Sequence, residues 1–115
     1  MNSEQFVEAV KLYVRDSAVQ SQLNLLLDPP GRRPPESLKR QSEWFRGLSP
    51  EDQEMVKGVI SHAVHAGIFH LFCVFDGVSV IDDEKGTFEL RHMGKEITVL
   101  SPTSGDFLHE LLNSD

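Results

Sequence analysis

The sequence predicts an α+β domain of four helices with a long central one at about residues 50–75, then a three-stranded antiparallel meander packed on it and a short C-terminal helix. Three observations carry this. Apolar residues recur at steps of three and four as far as residue 75. Beyond residue 77 they alternate with polar ones, the period of a half-buried strand. Between the two regimes, Ser49, Pro50, Glu51 and Asp52 spell a helix start: a serine cap, a proline at the first helical position and two acids in the first turn.

Phe6, Val10 and Val14 place a first helix over 3–15, and Asn2 with Gln5 forms a capping-box pair. Val19, Leu23, Leu26 and Leu27 give a second helical run over 17–28, with Asp16 as its candidate cap. No Gly or Pro separates the two, so one helix and two remain open. Four prolines and a glycine then make 28–35 an extended internal loop within a single 1–115 domain. Pro35 suits the first position of a third helix that runs to about Arg46, with Leu38, Phe45 and Leu48 on one side. The central helix is apolar on nearly every side past Ala63, which predicts burial on most faces. It should stop at Asp76 and Gly77, although 72–75 also fits the start of a strand. Val78 with Val80, Phe88 with Leu90, and Ile97 with Val99 supply the three strands, with a turn at 82–86 and a two-residue turn centred on Met93 and Gly94. The closing helix is expected from Ser104 onward.

The tract Phe72, Cys73, Val74, Phe75, Asp76, Gly77 and Val78, with Phe88 to Arg91 and Asp106 to Asn113, resembles small bacterial proteins of unassigned function. The resemblance spans about the last 45 residues and implies a helix, an Asp-Gly turn, a strand and a short terminal helix. It brings no catalytic residues.

The 115 residues carry a net charge of −7, unevenly spread: −2 over 1–29, +3 over 30–48 and −8 over 49–115. Such an acidic chain disfavours generic phosphate-backbone binding and would steer a basic protein partner. A single cysteine excludes an internal disulfide and fits a reducing compartment. The opening residues lack the basic and apolar regions of a signal peptide, and His65, His70 and Asp76 interrupt the most apolar stretch, so a cytoplasmic location without membrane insertion is expected.

No phosphate loop, nucleophile elbow, HExxH or CxxC motif occurs. No catalytic residue, cofactor or metal is therefore expected. The expected function is that of a non-enzymatic protein-interaction protein, in one form a bacterial immunity protein or inhibitor that neutralises a basic toxin. Its candidate partner-binding residues are Asp82, Asp83, Glu84, Glu89, Glu96 and Trp44. An alternative is a small metal-dependent or hydrolytic enzyme using His62 and His65, which share a helical face at a spacing of three. His70 and Cys73 repeat that spacing, but too far along the axis to join them without ligands such as His92, His109 or Asp76. A second alternative is a nucleic-acid-binding regulator using the basic patch of Arg32, Arg33, Lys39, Arg40 and Arg46.

Overall fold

Asn2 opens the first helix as its spacing predicts: its Oδ1 accepts from the Gln5 amide at 2.8 Å, while its own amide donates to Gln5 Oε1 at 3.0 Å. In this computed structural model, which describes residues 1–84 and 86–114, the helical path then runs unbroken to Leu27. It comprises α1 (Ser3–Val10), a π-helical segment (Lys11–Asp16) and α2 (Ser17–Leu27). Asp16 is therefore not a cap. Its backbone is helical, and its carboxylate pairs with Arg15 at 3.0 Å instead. The wider π turns re-aim the apolar stripe partway along: α1 faces the C-terminal elements, and α2 faces the two helices that follow.

After the Pro-rich loop come α3 (Glu36–Arg46) and α4 (Pro50–Phe75). Pro35 precedes α3 as its extended cap residue, one position earlier than expected. The start of α4 is the one read from sequence, with the Asp52 amide donating to Ser49 Oγ at 3.1 Å. Ser49→Ala is expected to cost about 1 kcal/mol, measurable as a lower urea midpoint. Residues 72–75 are helix, and α4 ends at Asp76, with Gly77 at φ +78 in the left-handed region that favours glycine.

Several expectations are corrected beyond this point. Among the described residues the sheet has two strands, β1 (Leu90–Met93) and β2 (Ile97–Ser101), paired antiparallel. Val78 and Val80 have a strand's alternation but no neighbouring strand to bond, and both are exposed. Alternation records a preference for one face; a ladder also needs a partner. The connection falls later than expected, at Gly94, Lys95 and Glu96, where the Gly94 amide donates to the Glu96 carbonyl at 3.2 Å. The hairpin leans chiefly on α1 rather than lying along α4, and Ser3 Oγ donates to the Leu100 carbonyl at 2.9 Å. The chain closes with α5 (Leu108–Asn113), shorter than the helix expected from Ser104.

The main core joins α1, α4 and α5 through Val7, Val10, Phe72, Leu108 and Leu112. Phe45 of α3 is buried separately, beside Ser42, whose Oγ donates to the Leu26 carbonyl at 2.6 Å. The expected burial of α4 on most faces is also corrected, since only Phe72 and Cys73 of its 26 residues are buried. By length and composition alone α4 could cross a membrane.

Candidate functional site

Glu4 and Glu8 stand one helical turn apart on α1, on the flank of the Val7 and Val10 face. Core packing of Val7 and Val10 against Leu108 and Leu112 brings α5 alongside. The result is an open groove of about 420 Å³ lined by Glu4, Glu8, Asp106, Glu110, Leu111 and Ser114. Four carboxylates thus converge from opposite ends of the chain. Lys11 engages one of them, reaching Glu8 at 3.1 Å, and also donates to the Ser114 carbonyl at 2.7 Å. The rest of the anionic wall suits a cationic ligand.

The far wall of this groove is fixed by Asp76. This carboxylate is only 6% exposed, yet it accepts four hydrogen bonds. Ser101 Oγ donates at 2.5 Å, the Leu108 amide at 3.2 Å, the His109 amide at 2.9 Å and His109 Nδ1 at 2.7 Å. Asp76 therefore ties the end of α4 to the end of β2 and caps α5 from outside that helix. Burial by itself would raise its pKa. The bonds from Ser101, His109 and Leu108 outweigh burial and hold the carboxyl below the usual aspartate value. Phe107 stacks on the His109 ring and Phe69 meets it edge-on, each at 5.7 Å between centroids.

Serine, histidine and aspartate meet here, but not in the order that activates a nucleophile. In a catalytic triad the serine donates to the histidine and the aspartate orients it from behind. Here Ser101 and His109 both bond to Asp76, and Ser101 is fully buried. The arrangement is a structural clasp. Cys73 beside it is a buried free thiol whose pKa is pushed up by burial and then by Asp76, away from a reactive thiolate.

His62 and His65 do line a common hollow, with Arg15, Asp16, Val19, Gln20 and Ser61 against the π-helical segment. His65 is engaged at both ring nitrogens: Nε2 lies 2.8 Å from Asn113 Oδ1 and Nδ1 lies 3.5 Å from Arg15 Nη1. No cluster of three or more His, Cys, Asp or Glu suited to a metal occurs among the described residues.

Asp82, Asp83 and Glu84 are exposed in the connection after α4, where Asp82 Oδ1 accepts from the Glu84 amide at 3.1 Å. Glu89 pairs with Arg91, and Glu96 sits in the hairpin turn. None of these lines the α1–α5 groove. Trp44 is 59% exposed on α3, where it forms a shallow hollow with Ser37, Arg40 and Gln41. Arg32, Arg33, Lys39, Arg40 and Arg46 are all exposed, and Arg46 also donates to Ser42 Oγ at 3.2 Å. The groove carboxylates escaped sequence reasoning because Glu4 and Asp106 are neighbours only after folding. Comparison with protein-family models, curated proteins and solved structures returns no match.

Proposed function

We propose that this protein is an acidic, non-enzymatic interaction protein that receives a basic segment of a protein partner in the α1–α5 groove. The observation that supports this reading is the convergence of Glu4, Glu8, Asp106 and Glu110 on one concave surface. Complementary charge would steer the encounter and orient the partner. A shallow cleft between two packed helices suits a lysine- or arginine-bearing loop or helix. One concrete form of the function is an immunity protein or inhibitor that covers a basic toxin in the bacterial cytoplasm.

The test uses a lysine- and arginine-rich peptide of about ten residues, titrated calorimetrically at low and at high salt. Binding is expected to weaken steeply as salt screens the charges. Reversing Glu4, Glu8 and Glu110 to lysine should weaken it about tenfold or more, at roughly 0.2–1 kcal/mol lost per exposed pair together with new repulsion of similar size. Reversing Asp82, Asp83 and Glu84 should change it far less. If the two triple variants lose affinity equally, or if the second loses more, the groove reading fails.

A further inference from the structure

Residues 58–75 of α4 contain no Asp, Glu, Lys or Arg, yet most of this stretch is not buried by the rest of the chain. The face turned away from α2 and α5 carries Met55, Val59, Ala63, Ala66 and His70, all exposed, with Met55 at 70% and Val59 at 66%. At 3.6 residues per turn these five positions fall within an arc of about 80°, and their steps of four, four, three and four trace a narrow seam of the kind that packs helix on helix. Intrachain folding does not use this surface.

The overall dimensions show how much surface is left over. The radius of gyration is 18.0 Å, against about 13 Å expected for a compact chain of this length. The accessible surface is 8439 Å² for 13.0 kDa, where a folded monomer of that mass exposes about 6,300 Å². The excess is about 2,100 Å² per chain, or about 4,200 Å² for a pair, within the range of about 2,000–5,000 Å² typical of obligate homodimers. Even if half the excess belongs to the connections at 28–35, 77–84 and 86–89, the rest still exceeds the roughly 800 Å² per partner of a standard stable interface.

We propose that two copies of the chain pair through α4, antiparallel, about a two-fold axis between Ala63 and Ala66. A two-fold contact must be self-complementary: if residue i meets residue j, then j meets i. The seam satisfies this about its own midpoint. Ala63 of one copy meets Ala66 of the other, and these small side chains let the two helices approach closely. Val59 meets His70 in the next layer, and Met55 reaches the half-buried Val74 at the edge of the seam in the layer beyond. The antiparallel arrangement also sets each helix's positive N-terminal end beside the other's negative C-terminal end. Lipid suits this helix less well. Midway along it, His65 holds Asn113 and lies against Arg15, and an arginine at that depth would be costly in a bilayer. Glu51 and Asp52 open the helix where an interfacial aromatic or basic anchor would be expected of a spanning segment.

The experiment is light scattering after size exclusion, together with sedimentation equilibrium, on the full chain from 1 to 100 µM. The wild type is expected to be a dimer at 10 µM. Ala63→Glu and Ala66→Lys each change an exposed position, so each should keep its helical circular dichroism while weakening self-association about 100-fold, since each then places unpaired charge in a desolvated seam. Mixed in equal amounts they should recover the dimer, because the carboxylate introduced at position 63 of one copy then faces the ammonium introduced at position 66 of the other. A wild type that is monomeric at 100 µM overturns the proposal. So does a dimer that neither substitution weakens. Failure of the mixture to re-form a dimer overturns the antiparallel register. A monomer that instead floats with phosphatidylcholine–phosphatidylglycerol vesicles would assign the face to a membrane and likewise overturn self-pairing.

Discussion

Asp76→Ala is expected to destabilise the fold by roughly 3–5 kcal/mol, because a charged hydrogen bond contributes about 1.5–3 kcal/mol and four are lost with less than full additivity. The substitution leaves the buried Ser101 hydroxyl and the Leu108 amide without their acceptor, and removes the outside cap of α5. Asp76→Asn keeps the shape but loses the charge, so it should fall short of the wild type by a smaller amount. The pH dependence has a definite sign. The folded-state pKa of Asp76 lies below its ordinary value of 3.8, so the folded chain gives up its proton more readily than the unfolded one. The stability from this group is fully present above the ordinary aspartate range and is lost as pH falls through the folded-state value. Urea unfolding of the wild type between pH 5 and pH 2.5 should therefore show a loss of stability below about pH 4 that is missing in Asp76→Asn. Equal acid sensitivity in both proteins would mean that other carboxylates govern acid unfolding. Because Asp76 positions α5, Asp76→Ala should also weaken basic-peptide binding in the groove while leaving Glu4 and Glu8 untouched.

Elements whose determinants are local were legible in the sequence. The Asn2–Gln5 box, the Ser49 cap with Pro50, the Gly77 stop and the proline loop each depend on residues within one turn of one another, so their spacing states the outcome. Tertiary partners were not legible. Asp76 followed by Gly77 reads as a helix end, and nothing nearby shows that its carboxylate collects donors from Ser101, Leu108 and His109. The alternation of Val78 and Val80 announced a strand, but no pattern within a segment can report that a neighbouring strand is missing. The apolar surround of α4 predicts burial, but not by which surface. An apolar helix shows that something must cover it without saying what does so, and here the chain itself covers one side. The histidines illustrate the same limit from the other direction. Their spacing of three puts His62 and His65 on one helical face, while the hollow they line and the bonds from His65 to Arg15 and Asn113 depend on elements distant in sequence.

Phe72→Ala is the second substitution expected to have a large effect, at roughly 3–5 kcal/mol for a buried aromatic cut to a methyl group. Phe72 is one of the two buried residues of α4, and its ring sits 6.0 Å from that of Phe6 within the cluster that joins α1, α4 and α5. Cavity formation there removes the main apolar link between α4 and the helices that form the acidic groove. A small domain has only about 5–15 kcal/mol of total stability, so the variant should unfold at a much lower urea concentration. Met55→Ala offers the informative contrast, since it removes a comparable apolar side chain from the exposed face of the same helix. In protein dilute enough for the pair to dissociate, well below about 1 µM, it should change stability by no more than about 0.5 kcal/mol. At concentrations where two copies pair, folding and association are linked, and the cost of Met55→Ala should appear and grow with protein concentration. The cost of Phe72→Ala should instead already be present in dilute protein. Unfolding curves for both variants at about 0.05 and 100 µM therefore separate the core that folds the chain from the surface proposed to pair it. A concentration-independent loss for Met55→Ala would place that side chain within the monomer's own packing.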